Sequence, residues 1–254
     1  MISKQRIKLI HSLEQKKYRD EHNLFIGEGG KVVGELLLHF DCKYMIATEE
    51  WTEQNPSLFQ KASDSCIVTQ EELSKASLLK TPQHVLALFA KREELLPSPE
   101  IAQTELCMAL DCIQDPGNLG TIIRIANWFG IKHMICSQTT ADVYSPKVIQ
   151  ATMGSLSGVN IYYTDLCKYL KEASADTPVY GTFLEGDNIY KVPLSANGII
   201  VMGNEGNGIS PQIKALVTRK LFIPPYSSGL STTESLNVGV ATAITCAEFR
   251  RRLI

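Results

Sequence analysis

Short apolar runs alternate with amphipathic stretches along most of the chain, a pattern that predicts strands followed by helices. In the first third of the chain the strand-like runs are HNLFIGEG, KYMIAT, DSCIVT and HVLALFA. Helical periodicity lies between them, at residues 3–17, 31–39 and 70–76. Strands that alternate with helices predict an α/β layer architecture for this part.

The alternation becomes clearer after residue 104. The strand-like runs there are ELCMALDC, KHMICS, GVNIYY, PVYGTF, GIIVMG and KLFIPP, and several are apolar throughout, as strands buried on both faces of a parallel sheet are. Helical patterns fill the gaps, at residues 119–129, 165–172, 211–217 and 235–251. This part is predicted to be a mostly parallel sheet flanked by helices, and such sheets bind ligands at the carboxyl ends of their strands.

A break between these two parts predicts two domains. The segment EELLPSPEIAQ, residues 93–103, holds two prolines and three acidic residues, which is typical of a linker. We predict a smaller N-terminal α/β domain at residues 1–92 and a second domain at residues 104–254. The length of 254 residues and the apolar share of 44% fit two modest globular domains.

Charge, cysteines and the N-terminus argue against several classes of protein. A net charge of -2 gives no bulk support for nucleic-acid binding, which must then rest on local patches. The seven cysteines form no CxxC pair and no metal spacing with histidine, which predicts reduced core thiols and no bound metal. The polar N-terminus is unlike a signal peptide and no run approaches a membrane span, so we expect a cytoplasmic protein.

Three loops carry unusual chemistry, and the first is DCIQDPGNLGTIIRIANWFG, residues 111–130. Its Asp-Pro-Gly-Asn is a turn signature, and Asn118 is placed to cap the helix that follows. Arg124 falls inside that helix among isoleucines, where an arginine is costly unless it is paired or points into a polar cleft. The alternative is a surface arginine with a buried stem.

The second loop, GNEGNGISP, follows the apolar run ANGIIVM. The spacing of Gly203, Gly206 and Gly208 matches neither G-x-G-x-x-G nor a phosphate-binding P-loop. The glycines indicate either turn geometry or close approach of the backbone to a flat group such as a nucleobase. Glu205 beside them is a candidate to hold a helix terminus or a ligand.

The third loop, IPPYSSGLSTTESLNVGVATAITCAEFRRR, begins at Ile223 with a strand end and two prolines. A Ser/Thr/Gly-rich stretch follows, and then a long helix that Glu234 or Ser235 is expected to cap. Small residues such as Gly239 would let this helix pack closely against a neighbour. The chain shows no G-x-S-x-G nucleophile elbow, no evident pair of acids at a shared site and no set of metal ligands.

With these motifs in this order, residues 105–254 resemble the SpoU-type (TrmH-like) RNA ribose 2′-O-methyltransferases of the SPOUT superfamily. The motifs are DPGNLGTIIRIANWFG, IIVMGNEGNGIS and IPPYSSGLSTTESLNVGVATAI, with a weaker similarity in SPKVIQATMGSL. In the N-terminal part, FIGEGGKVVGELL and TPQHVLALF resemble the small RNA-binding domain that many members carry. The resemblance implies S-adenosylmethionine as cofactor, a deep trefoil knot in the C-terminal domain, and a homodimer with the active site near its interface.

The activity implied is methylation of an RNA ribose 2′-hydroxyl, in ribosomal RNA because of the N-terminal domain, with transfer RNA as the near alternative. The implied active-site residues are Asn118, Arg124, Glu205, Ser235 and Asn237. The implied contacts to the adenosyl group are Thr182, Gly203, Ile223 and Leu236. Arg124 would orient the hydroxyl and stabilise developing oxyanion charge, since guanidinium stays protonated in proteins, and a transient proton acceptor is the alternative.

Local charge and one departure from the family bear on this interpretation. Residues 1–22 carry six basic and three acidic residues, a local net of +3, and Arg250, Arg251 and Arg252 close the chain. Such runs are usually solvated faces, but an RNA-binding domain favours phosphate contacts. The loop between Ile223 and Leu236 looks longer than is usual in the family, which leaves its cofactor contacts open. The Ser and Thr residues of that loop are Ser227, Ser228, Ser231, Thr232 and Thr233.

Two other classes of protein remain to be weighed. A non-catalytic RNA-binding or ribosome-assembly protein could share this fold, but the complete polar set argues against it. A nucleotide-binding dehydrogenase would need a G-x-G-x-x-G turn after its first strand, and the chain has none.

Overall fold

A computed structural model gives the fold of the protein and describes residues 2–93, 95–173, 175–226 and 235–251. The chain divides into two compact units. The first unit comprises Met1–Glu93 and Asp142–Ser157, and the second comprises Glu94–Ala141 and Gly158–Ile254. The chain therefore passes from one unit to the other three times.

The described chain contains helices and strands in alternation. The helices are α1 Lys4–Ser12, α2 Lys16–His22, α3 Gly30–Leu36, α4 Glu49–Gln54, α5 Pro56–Phe59, α6 Gln70–Ala76, α7 Pro116–Trp128, α8 Pro146–Thr152, α9 Leu166–Lys171, α10 Pro211–Lys214 and α11 Val238–Arg251. The strands are β1 Leu24–Glu28, β2 Cys42–Ala47, β3 Ser65–Ile67, β4 Val85–Ala90, β5 Leu106–Asp111, β6 His133–Ser137, β7 Asn160–Thr164, β8 Val179–Phe183, β9 Asp187–Asn188, β10 Gly198–Gly203 and β11 Arg219–Phe222. Each predicted strand is present, whereas α4, α5, α8 and β9 were not predicted, and α2 extends five residues past the helix predicted at residues 3–17.

The first unit is built on a four-stranded sheet in the order β1-β4-β2-β3. Strand β4 runs antiparallel to β1 and β2, while β2 and β3 are parallel. Phe25, Ile46 and Leu88, one from each of the three longer strands, are fully buried. Apolar residues at these positions hold the helices against the sheet, which confirms the α/β architecture predicted for this part.

Residues 142–157 are an exception to the predicted second domain, because they pack on the sheet of the first unit. Helix α8 contacts β1, and the ring of Tyr144 lies 4.8 Å from that of Phe25. Gly154 has a φ of +91°, and a Cβ there would lie 2.4 Å from the Cβ of Glu35. The segment therefore packs closely within the first unit, although it lies between β6 and β7 in the chain.

Arg19 is a second departure from the sequence interpretation, which counted it among the cations available to RNA. Its side chain is 3% exposed and forms an ion pair with Asp142, with 2.5 Å between Nη2 and Oδ2. Its Nη1 also donates to the backbone carbonyls of Leu13 and Glu14, at 2.8 and 2.7 Å. Those carbonyls lie where the predicted helix at residues 3–17 breaks into α1 and α2. Arg19 thus stabilises the break and is not available to phosphate.

The second unit is built on a seven-stranded sheet in the order β7-β6-β5-β10-β8-β11-β9. Each pairing between its strands in the described chain is parallel. Side chains of α9 and α10 such as Tyr169 and Ile213 pack with Val201 on one face. On the other face, the rings of Tyr180 and Phe249 of α11 meet edge to face at 4.9 Å. The predicted parallel sheet flanked by helices is confirmed.

Helices α7 and α11 pack side by side on that second face. The contact is close at Gly239, where an added Cβ would lie 3.0 Å from Cγ2 of Thr121. At the other end, Arg250 donates from Nε to the carbonyl of Phe129 at 2.8 Å and from Nη2 to that of Gly130 at 3.3 Å. The two helices are therefore parallel, and both begin at the carboxyl edge of the sheet.

The predicted core position holds for four of the seven cysteines, and the other three are half-buried. All seven are free, and Cys42, Cys107, Cys136 and Cys246 are buried. Burial raises the pKa of the Cys42, Cys107 and Cys246 thiols to about 12, so they stay protonated at neutral pH. Among the residues described, no helix has the length and apolar character needed to cross a membrane.

Candidate active site

Three of the four residues expected to contact an adenosyl group lie at one edge of the second sheet. Thr182 is the last but one residue of β8, Gly203 ends β10, and Ile223 directly follows β11. Since β10, β8 and β11 are neighbours and parallel, their carboxyl ends meet at this edge. Thr182 donates from Oγ1 to the sulfur of Met202, at 3.6 Å. The fourth residue, Leu236, is 47% exposed and lies just before α11.

Helix α7 begins earlier than the sequence suggested, and Asn118 does not cap it. The N-cap is Asp115, whose Oδ1 accepts the backbone N–H of Asn118 at 2.8 Å. Pro116 occupies the first helical position, where a missing N–H costs nothing and the fixed φ suits a helix. The cap prediction was therefore wrong, and Asn118 lies in the first turn with its side-chain amide available for other contacts.

Those contacts join the three motif loops. Asn237 donates from Nδ2 to Oδ1 of Asn118 at 2.9 Å, and Asn118 donates from Nδ2 to Oε1 of Glu205 at 3.1 Å. Glu205 and Asn237 are exposed, and Asn118 is half-buried. We call Asn237, Asn118 and Glu205 the polar row. It links the starts of α7 and α11 to the loop after β10.

Asn237 also caps α11, a role expected for Glu234 or Ser235. Its Oδ1 accepts the backbone N–H of Gly239 at 2.9 Å and that of Val240 at 3.4 Å. A side chain that accepts from the second and third residues of a helix satisfies otherwise unpaired donors. Ser235 is two residues too early for this geometry, and Glu234 lies outside the described residues.

The loop after β10 is a tight turn closed on itself. Asn204 and Gly208 exchange two backbone hydrogen bonds, of 3.0 and 2.8 Å. Gly208 has a φ of +68°, and a Cβ at Gly203 would lie 2.3 Å from the carbonyl carbon of Gly208. Of the two interpretations of these glycines, turn geometry therefore accounts for Gly203 and Gly208 without a ligand.

The structure does not bring Arg124 or Ser235 into contact with the polar row. Arg124 is exposed on α7, on the same side as Thr121 and Trp128, and no hydrogen bond or ion pair joins it to a described residue. Ser235 is also exposed, and its hydroxyl has no hydrogen bond within the described ranges. Within a single chain, Arg124 is thus a surface arginine. This was the alternative interpretation of Arg124 from the sequence.

Three supporting residues escaped the sequence analysis. Asp115 caps α7, as described above, and the Asp-Pro pair was the signal for it. Asp111 is buried and accepts the N–H of Ser210 through Oδ2 at 2.7 Å, which fixes the far side of the glycine loop. Asn204 accepts the N–H groups of the two residues after Glu205, as asparagine side chains commonly do in turns.

The site offers polar positioning groups at the mouth of a parallel sheet. Two amides and a carboxylate can hold a hydroxyl-bearing substrate, and the strand ends present backbone groups to a second ligand. Nowhere in the described ranges do three His, Cys, Asp or Glu side chains cluster as metal ligands do. The arrangement suits a reaction driven by placing two bound molecules against each other.

Comparison with protein families agrees with this combination of sheet and loops. The model of the SpoU rRNA methylase family matches residues 105–247, and that of the MRM3-like substrate-binding domain matches residues 4–87. The chain belongs to the SpoU rRNA methylase family. The first match spans the motifs that form the polar row, as well as the segment 142–157 that belongs to the first unit.

Individual relatives cover nearly the whole chain. The 23S rRNA (guanosine(2553)-2′-O)-methyltransferase RlmP of Bacillus subtilis is 30% identical over 94% of this chain and 94% of its own length. A TrmH-family protein from Porphyromonas gingivalis has a structure with a TM-score of 0.84 and 39% identity, covering 99% of both chains. An AdoMet-bound rRNA methyltransferase from Sinorhizobium meliloti gives 0.85 and 30%, covering 100% of this chain and 97% of that one.

Proposed function

We propose that the protein transfers the methyl group of S-adenosylmethionine to a ribose 2′-hydroxyl of ribosomal RNA. The observation that carries this proposal is the polar row, which lies at the same sheet edge as the ends of β8, β10 and β11. One edge can thereby accommodate a cofactor on the strand ends and a ribose at the amides. The Bacillus relative is named for this reaction on 23S rRNA and aligns over both units.

The residues present fit an adenosyl group. Thr182 and Gly203 are among the last paired residues of β8 and β10, and Ile223 directly follows β11, so all three lie where ligands bind to parallel sheets. The absence of a side chain at Gly203 serves the turn, so its contribution to the cofactor would come from its backbone. Leu236 would complete the contacts from the third loop. The Sinorhizobium structure, which has AdoMet bound, supports this assignment through its fold.

Catalysis in this proposal depends on positioning. Bound S-adenosylmethionine supplies a methyl group on a sulfonium, whose departure needs neither an acid nor a metal ion. The ribose oxygen must be held in line with that methyl group. The hydroxyl must also lose its proton when the new O–C bond forms. Asn118 and Glu205 would hold the ribose, with Ser235 and Asn237 beside them. Arg124 would orient the hydroxyl and stabilise the charge that develops on its oxygen.

Ribosomal RNA is the proposed target because the first unit matches a substrate-binding domain. With Arg19 buried and Arg6 paired to Asp64 at 3.0 Å, the exposed lysines of α1 and α2 remain to meet phosphates. These lysines are Lys4, Lys8, Lys16 and Lys17. RNA of this kind is recognised by shape and unstacked nucleotides more than by helical sequence. We place the protein in the cytoplasm, where bacterial ribosomal RNA is made and modified.

The same proposal includes a deep trefoil knot in the second unit and a homodimer. Exposed apolar residues on α7 and α11 support the dimer: Trp128 is 84% exposed and Val240 49%. Arg124 lies on the same side of α7 as Trp128, so pairing of two chains there would bring Arg124 to the interface.

Sedimentation equilibrium is expected to give twice the chain mass of 28.1 kDa. Trp128→Glu is expected to shift the protein towards the monomer. Leu95→Glu, at a residue 93% exposed outside these helices, is the control. A monomeric wild type would refute the dimer.

The activity is tested by incubating the protein with tritiated S-adenosylmethionine and total RNA from a strain that lacks the gene. Label is expected in ribosomal RNA, at a single ribose that primer extension then maps. Label confined to transfer RNA would show that the proposed substrate is wrong and that the proposed methyl transfer is right. No incorporation into either RNA would favour a non-catalytic RNA-binding protein.

A further inference from the structure

The side chain of Asn204 bonds to three separate parts of the second unit at once. Its Oδ1 accepts the backbone N–H groups of Gly206 and Asn207, each at 3.0 Å. Its Nδ2 donates to the backbone carbonyl of Cys112 at 2.8 Å, across 92 positions of sequence. The same Nδ2 lies 3.4 Å from Oε2 of Glu205. One amide therefore connects the glycine loop, the polar row and the chain that leaves β5.

The carboxylate of Glu205 is held between two amides. Oε1 accepts from Asn118 at 3.1 Å and Oε2 accepts from Asn204 at 3.4 Å. A carboxylate with a donor on each oxygen has one preferred orientation, whereas one with a single donor can rotate. Asn204 thereby adds an angular constraint to the row.

The other end of the amide meets a strained residue. Cys112 has a φ of +61°, a left-handed conformation that is uncommon outside glycine and asparagine. In this conformation its N–H donates to Oγ of Ser137 at 2.9 Å, while its carbonyl accepts from Asn204. Cys112 starts the loop that leads to Asp115 and α7. Strained residues persist where their surroundings over-determine them, and these two bonds do so here.

We propose that Asn204 is a positioning residue for methyl transfer, which sets the distance and angle between Glu205 and Asn118 through its bond to Cys112. The bonds form a closed circuit from Cys112 along the chain to Asn118, across to Glu205, and back through Asn204. The inference rests on the proposed function. Asn204 itself touches neither substrate in this scheme, and a misplacement of about 1 Å at such a site can cost roughly 10²-fold in rate.

Asn204→Asp tests this with little change of shape. A carboxylate still accepts from Gly206 and Asn207, so the turn is retained, but it repels the Cys112 carbonyl and the Glu205 carboxylate. We expect kcat to fall about 10- to 100-fold, with the Kd for S-adenosylmethionine by calorimetry within about threefold of wild type. Asn207→Asp adds the same charge to the same loop at an exposed residue with no side-chain bond among those described. It is expected to stay within about twofold.

The pH profile separates positioning from simple loss of structure. When the introduced carboxyl is protonated, its O–H can again donate to Cys112, so the rate of Asn204→Asp relative to wild type should rise between about pH 8 and about pH 6. A merely structural defect would leave this ratio flat. A flat ratio, or equal rates for Asn204→Asp and Asn207→Asp, overturns the proposal.

A readout without RNA distinguishes failure of this inference from failure of the proposed function. In a ¹H–¹⁵N spectrum, the side-chain amide of Asn118 reports its bond to Glu205. Its signal should move in Asn204→Asp and remain in place in Asn207→Asp. An unmoved signal overturns the positioning role even where the wild type is active. A moved signal with an inactive wild type upholds the geometry and refutes the methyl transfer.

Discussion

Arg124→Ala is expected to lower methyl transfer about 10²- to 10³-fold while leaving S-adenosylmethionine binding intact, because removal of one group that stabilises developing charge costs this much. The residue is exposed on α7, and alanine is a good helix former, so the fold should survive. Single-turnover kinetics with the mapped RNA measures the rate, and calorimetry measures the cofactor affinity.

Two further variants sharpen this test. Arg124→Lys keeps the charge without the planar fork and should fall between alanine and wild type. Arg219→Ala removes an exposed arginine that begins β11, at the edge of the sheet opposite the site, and should leave the rate unchanged. Loss of cofactor binding in Arg124→Ala would contradict the role given to Arg124.

Arg19→Met should cost about 3–5 kcal/mol of stability, the usual effect of breaking a buried ion pair from one side. The change leaves Asp142 without its ion-pair partner and removes the donors to the carbonyls of Leu13 and Glu14. Urea unfolding of the full chain, followed by a probe in the first unit, measures the loss. The effect should be on stability first and on RNA binding only through it.

Arg6→Ala is the matched control, because Arg6 pairs with Asp64 at the surface with side-chain exposures of 42% and 55%. Pairs of this kind contribute about 0–1 kcal/mol. The double change Arg19→Met with Asp142→Asn should recover part of the loss, since it removes the unpaired charge. If Arg19→Met lost no more stability than Arg6→Ala, the buried pair would be unimportant to the first unit.

The local sequence pattern predicted most of the strands and helices. It did not predict which residues far apart in the chain contact each other. The apolar runs located the strands because burial on both faces of a parallel sheet demands them. Arg19 was misjudged because a charge run shows which residues are basic but not which are buried, and its partner lies 123 positions away. Helix α8 was missed because its apolar side is matched to β1, a strand far earlier in the chain.

The site shows the same division. The motif loops identified Asn118, Glu205 and Asn237, and the structure joins these three in one row. The pattern did not predict which asparagine caps which helix, because capping depends on where the backbone turns. Arg124 and Ser235 remain predictions, since neither contacts the row in one chain.

The three crossings of the chain also constrain how this protein can be divided. A piece cut at residue 104 would carry α8 away from its sheet, with Val148 and Ile149, now 0% and 1% exposed, facing water. Conversely, a first unit that lacked residues 142–157 would lose the contact between the rings of Phe25 and Tyr144. A stable second unit on its own would therefore need polar replacements at these apolar positions of the methylase sequence.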